Sequence, residues 1–132
     1  MDKVRIGIVG SKFAADFHCD SYARNEHAEV VAAAAVDNLV PFAKKWNIPY
    51  AYEDYRRMLE RDDLDMVSVC VPNFLHHEVV LAAAKAGRHV VCEKPLATTA
   101  AHAREMVAAC AEAGVKLMYA EDWCFAPALK RV

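Results

Sequence analysis

The 132 residues carry a formal charge of −2 and a pI of about 6.3, so no long-range field recommends nucleic acid or an anionic membrane as partner. With 56% hydrophobic residues the chain has room for one well-buried α/β core, and no apolar stretch reaches membrane-spanning length. Five scattered cysteines, Cys19, Cys70, Cys92, Cys110 and Cys124, form no C-x-x-C pair and read as small core residues of a reducing compartment, so a cytoplasmic chain without signal peptide, disulfides or metal is expected.

An almost continuous apolar run, Val4 to Val9, ends at Gly10 and passes into a helical pattern. This predicts a buried parallel strand feeding a helix N-terminus, where free N–H groups and the helix dipole can receive a pyrophosphate. The spacing approximates the dinucleotide fingerprint G-x-G-x-x-G/A, with Gly10 first, Lys12 in the second place and Ala15 third. A lysine there either holds a ligand farther from the backbone or adds a cation beside it. A ligand-free turn favours the same small residues, so the loop alone leaves both readings open.

A helix is predicted from Ala14 to about Asn25 and a second strand over Glu29 to Val36, closing a βαβ unit at Asp37. Asp37 lies 22 positions beyond Ala15, near where a dinucleotide fold places the carboxylate that accepts from the adenosine ribose. Capping of a helix that starts near Pro41 is the competing role, and the upstream glycine loop favours the ribose. A helix over Pro41 to Trp46, a short strand Tyr50 to Tyr52 and a helix Asp54 to Arg61 follow. Asp62-Asp63-Leu64-Asp65 reads as a solvated turn with no metal-ligand spacing.

Met66 to Val71 is the next buried strand. Pro72-Asn73 stops it at the carboxyl edge of the sheet, where open parallel sheets bind ligands, ahead of a helix from about Leu75 to Ala86. His76 and His77 diverge by about 100° on that helix, so exposed or capping histidines are expected rather than ligands of one ion. Gly87 ends the helix, and a strand His89 to Cys92 delivers Glu93-Lys94-Pro95 to the same crevice. Thr98 or Thr99 caps an alanine-rich helix running to about Ala113, and Val115 to Ala120 is the last strand. The alternation predicts a doubly wound parallel sheet of the Rossmann type with helices on both faces.

Three motifs coincide on this frame: G-I-V-G-S-K-F-A-A-D-F-H from Gly7, V-C-V-P-N-F-L-H-H-E from Val69, and C-E-K-P-L-A from Cys92. Together they resemble the N-terminal half of the Gfo/Idh/MocA oxidoreductases, named after glucose-fructose oxidoreductase, inositol dehydrogenase and a rhizopine-catabolism protein. The resemblance implies hydride transfer between a nicotinamide cofactor and a sugar, cyclitol or related polyol. It places Gly10, Ser11, Lys12, Phe13 and Ala14 around the pyrophosphate, Asp37 on the ribose, and Pro72, Asn73, Leu75 and His76 along the cofactor. Glu93, Lys94 and Pro95 lie by the nicotinamide in this reading, and Lys94 acts on the substrate hydroxyl as the catalytic residue, stabilising developing alkoxide charge.

Family members continue into a second α/β domain that walls the other side of the active site. Residues 1–120 are accordingly expected to form the dinucleotide-binding domain, and 121–132 the start of a crossover into a domain absent from this chain. NAD is expected over NADP, because Asp37 repels a 2′-phosphate and no arginine follows it. Lys12 should stand exposed over the pyrophosphate site, apolar surface should remain around Trp123 and Phe125, and the chain alone should turn over nothing; a homo-oligomer is expected. The alternative is a metabolite-sensing regulator that keeps the nucleotide site without catalysis, and the intact E-K-P favours the enzyme.

Overall fold

The computed structural model describes residues 3–127. Six strands alternate with five α-helices: β1 (Val4–Val9), α1 (Phe13–Ala23), β2 (Ala28–Ala34), α2 (Leu39–Lys45), β3 (Tyr50–Tyr52), α3 (Tyr55–Leu59), β4 (Met66–Val69), α4 (His76–Lys85), β5 (His89–Cys92), α5 (Ala100–Glu112) and β6 (Leu117–Tyr119). Single 3-10 turns span Asn73–Leu75 and Asp122–Phe125. All neighbouring strands pair in parallel, in the order β3-β2-β1-β4-β5-β6. The order reverses between β1 and β4, which opens a crevice at their carboxyl ends.

Side-chain alternation divides the core in two. Ile6 and Ile8 of β1 and Ala33 of β2 pack with Ala15 and Cys19 of α1 and with Phe42 and Ala43 of α2. Val9, Ala32, Ala34, Val67 and Val69 face the other way, toward Met58 of α3, Val79 and Val80 of α4, and Met106 and Cys110 of α5. Helices therefore cover both faces, as the unbroken apolar strands demand. Among the described residues no helix is long and apolar enough to cross a membrane.

The structure corrects several expectations. The second strand stops at Ala34, and Val36 beyond it is 94% exposed, because the last apolar residues of that run wall a cleft instead of joining the sheet. The fourth strand likewise ends at Val69, releasing Cys70 and Val71 to the crevice. Asp37 is not the cap of α2: Asn38 holds that place in the left-handed region, φ 51°. Of the two threonines, Thr99 caps α5, its hydroxyl oxygen accepting from the His102 N–H at 3.2 Å.

The Asp62–Asp65 turn is not merely solvated. Leu64 is buried, and Asp65 accepts from the Arg5 backbone N–H at 2.8 Å and from its Nε and Nη2 at 3.0 and 2.9 Å, tying the turn to β1. Asp63 pairs with Arg61 at 2.6 Å. Four cysteines are buried core residues as expected, whereas Cys124 is exposed. His76 is buried at 1% exposure, contrary to the exposed or capping role.

Candidate functional site

The loop between β1 and α1 is shaped at Gly10. Its φ is +120°, and a Cβ there would lie 2.5 Å from the carbonyl oxygen of Cys70, so the close passage of this loop over the end of β4 requires glycine. Ala15, in the third place of the fingerprint, is fully buried where α1 crosses the sheet. Lys12 is the N-cap of α1 in ordinary extended backbone, φ −110° and ψ −163°, and makes no side-chain cap bond. The first-turn N–H groups of an 11-residue helix are thereby left toward the crevice.

Two clefts meet at this loop. The first, of about 360 Å³, lies over the ends of β1, β2 and β4 and is lined by Gly10, Ser11, Lys12, Asp37, Pro72 and Leu75 together with Val36, Glu53, Tyr55 and Phe74. The second, of about 530 Å³, lies over β5 and β6 and is lined by Phe13, Ala14, Glu93 and Lys94 together with Phe17, His18, Tyr22, Trp123 and Phe125. Gly10 to Lys12 thus walls the first, and Phe13 and Ala14, the next two residues, wall the second. Of the expected site residues, Asn73 and Pro95 are exposed but line neither cleft, and His76 lies beneath the surface.

The first cleft is clasped at its mouth. The Ser11 hydroxyl donates to the Asp37 carbonyl at 2.7 Å, and the Asn38 side-chain amide donates to the Ser11 carbonyl at 3.1 Å. Lys12 Nζ lies 2.8 Å from Asp37 Oδ2, with both side chains exposed. Lys12 is therefore exposed as expected, but its ammonium reaches sideways to the very carboxylate expected to hold the ribose.

Buried His76 braces the turn that carries Lys94. Its Nδ1 lies 3.0 Å from the Pro95 carbonyl oxygen and its Nε2 2.9 Å from that of Val71, so the ring bridges the loops after β4 and β5. The Lys94–Pro95 peptide is cis. Glu93 Oε2 accepts from the Lys94 backbone N–H at 3.0 Å, and Oε1 lies 3.1 Å from His18 Nε2. His18 Nδ1 in turn lies 3.1 Å from Ser68 Oγ, which is 2.6 Å from the Tyr22 hydroxyl. The chain Tyr22–Ser68–His18–Glu93 is the part of the site that sequence reasoning missed. Only His18, closing the first quoted motif, hinted at it.

Lys94 itself is exposed at the cleft, and among the described residues no carboxylate pairs with its ammonium. An unpaired ammonium on a braced turn is equipped to hydrogen-bond an oxygen that develops negative charge. Phe13, Phe17, Trp123 and Phe125, between 56% and 75% exposed, give the same cleft a broad apolar rim. Among the described residues no group of three His, Cys, Asp or Glu side chains could hold a metal ion.

Comparison with known proteins identifies the family. Residues 4–121 match the Gfo/Idh/MocA family, described as an oxidoreductase family with an NAD-binding Rossmann fold. The chain is 35% identical to D-apiose dehydrogenase of Paraburkholderia graminis, over 95% of its own length and 34% of that protein's. It is 32% identical to the scyllo-inositol 2-dehydrogenase (NADP+) of Bacillus subtilis, over 98% of its length and 40% of the relative's. The solved WlbA dehydrogenase of Bordetella pertussis, in complex with NADH and UDP-GlcNAcA, superimposes with a TM-score of 0.93 at 30% identity, covering 98% of this chain and 40% of that one. With its fingerprint loop, its strand order and the match over residues 4–121, the chain belongs to the Gfo/Idh/MocA oxidoreductases and comprises their NAD-binding Rossmann domain.

Proposed function

We propose that this chain is the cofactor half of a dehydrogenase that moves a hydride between a sugar, cyclitol or related polyol and a nicotinamide cofactor, with NAD preferred. The observation that carries the reading is the adjacency of two clefts along one stretch of chain: the loop Gly10 to Lys12 borders the Asp37 cleft, and Phe13 and Ala14, which open α1 directly after it, border the Lys94 cleft. A dinucleotide has that bipartite shape. Its adenosine fits the cleft bearing Asp37, Val36 and Phe74; its pyrophosphate fits the loop and the open N-terminus of α1; its nicotinamide half fits the cleft bearing Glu93 and Lys94.

The cofactor supplies the hydride acceptor at its nicotinamide ring. The chain's own residues do the rest: Asp37 accepts from the ribose hydroxyls, and Glu93 braces the turn that carries Lys94. The Lys94 ammonium hydrogen-bonds the substrate oxygen and stabilises the negative charge left on it as its proton passes to solvent water and the C–H bond opens. In this reading the cofactor domain runs to residue 120, and 121–127 begin the passage toward a second wall over the exposed Trp123 and Phe125, the rest of the expected crossover, 128–132, lying outside the described residues. The two sequence relatives named above are dehydrogenases of a sugar and of an inositol, and one of them carries NADP+ in its name, which supports the substrate class but leaves the cofactor preference to Asp37.

Calorimetric titration of the chain with NAD tests the proposal. Binding is expected, weakened about tenfold or more in Asp37→Ala, the usual loss when a charge-assisted hydrogen bond is removed. Unchanged affinity in that variant would return Asp37 to a purely structural place.

A further inference from the structure

We propose that Lys12 sets the cofactor discrimination: its ammonium offsets Asp37, so that NADP can enter by taking Lys12 as the partner of its 2′-phosphate. This rests on the cofactor site argued above and goes beyond it to a residue that the NAD fingerprint fills with glycine.

The ion pair has no evident structural duty. Lys12 and Asp37 side chains are 74% and 55% exposed, and pairs so placed contribute little to stability. The two loops are already joined by the Ser11-to-Asp37 and Asn38-to-Ser11 hydrogen bonds. A cation at a helix N-terminus also opposes the helix dipole, so Lys12 gains from any anion brought to it.

Charge at the mouth of the first cleft explains what that anion changes. Asp37 and Glu53 both line the cleft, and among the described residues Lys12 is the one cation lining it. Without Lys12 a 2′-phosphate, carrying between one and two negative charges, would face two carboxylates and no counter-charge. With it, the carboxylate that excludes NADP lies 2.8 Å from an ammonium able to donate three hydrogen bonds. A 2′-hydroxyl still finds an acceptor in the Asp37 oxygen that Lys12 does not hold. NAD thus depends on Asp37 and NADP on Lys12, and the preference for NAD is narrower than a lone aspartate would give.

The test titrates the 132-residue chain, Lys12→Ala and Asp37→Asn with NAD and with NADP by calorimetry at low and at moderate salt. Thermal melts confirm that the variants, both altered at exposed side chains, remain folded. The unaltered chain is expected to favour NAD by about tenfold or less. Lys12→Ala should weaken NADP about tenfold while NAD changes less than about threefold, and Asp37→Asn should strengthen NADP. NADP binding should also fall more steeply with salt than NAD binding. An equal loss for both cofactors in Lys12→Ala would place Lys12 on the shared pyrophosphate and overturn the proposal, as would an unchanged NADP affinity. Binding of neither cofactor by the unaltered chain would overturn the cofactor-site reading itself, and this inference with it.

Discussion

Replacing Ser68 by alanine removes one buried oxygen and should cost the domain about 2–3 kcal/mol. Ser68 is fully buried in β4, with its hydroxyl between the Tyr22 hydroxyl at 2.6 Å and His18 Nδ1 at 3.1 Å. With Glu93 ionised and the His18 ring neutral, donors and acceptors along the chain allow one consistent assignment. The Glu93 carboxylate can only accept, so His18 Nε2 carries the proton, Nδ1 accepts from Ser68, and Ser68 accepts from Tyr22. Burial raises the Tyr22 hydroxyl above its usual titration range, which keeps it a donor. Ser68→Ala strands both the Tyr22 O–H and His18 Nδ1, at about 1–3 kcal/mol for each group left without a partner. The lower part of that range applies because His18 retains 12% side-chain exposure, enough for water to relieve part of the loss.

The assay is guanidinium denaturation followed by far-UV circular dichroism, and in a parallel thermal melt the melting temperature is expected to fall by roughly 6–10 °C for a domain of this size. Adding Tyr22→Phe to Ser68→Ala should then cost almost nothing, since the hydroxyl has already lost its acceptor, giving a coupling of about 1 kcal/mol or more. A Ser68→Ala cost below about 0.5 kcal/mol, or full additivity with Tyr22→Phe, would refute the relay. The function follows from the far end of the chain: Glu93 holds the Lys94 N–H at 3.0 Å, so loosening Ser68 loosens the turn that presents the lysine.

Two further expectations use the charge environment. Burial pushes the thiols of Cys19 and Cys92 up to about 12 and raises Cys70 and Cys110 as well, whereas Cys124 is exposed; Ellman's reagent should titrate one thiol rapidly in the native chain and five after denaturation, and a second fast native thiol would contradict the packing. Hydrogen bonds from Lys45, Arg61 and Arg5 hold the carboxyls of Asp16, Asp63 and Asp65 below their usual range. A carboxyl depressed in the folded state contributes stability that is present above the unfolded value, about 3.9, and lost as pH falls through the lower folded value. Denaturation midpoints should therefore drop below pH about 4, and the drop should be shallower in Asp65→Asn; an identical acid limb in that variant would contradict the Arg5 contact.

What the sequence could and could not convey follows from how local each signal is. The strand His89–Cys92 and the short strand Tyr50–Tyr52 were legible to the residue, because each is bounded by its own turn signals. The parallel pairing of the strands followed from strand and helix alternation, whereas their order in the sheet did not. The carboxyl ends of β2 and β4 were misread because an apolar residue that walls a cleft has the same periodicity as one that continues a strand. Val36 and Val71 look like strand in sequence and are cleft wall in space.

Polar groups were harder still. The partners of His76 are backbone carbonyls 5 and 19 residues away, and those of His18 are side chains 50 and 75 residues away, so nothing near either histidine distinguishes a brace from a surface residue. Spacing brought Asp37 beside the glycine loop, although the strand before it ends at Ala34 and not at Val36. It could not announce that Lys12 would reach across to it, because a four-carbon stem reaches many neighbours and only the fold decides which carboxylate lies within 2.8 Å. Lys12, the atypical residue of the fingerprint, and His18, beyond it in α1, are therefore residues whose partners the fold alone supplies: Asp37 in one cleft and Glu93 in the other.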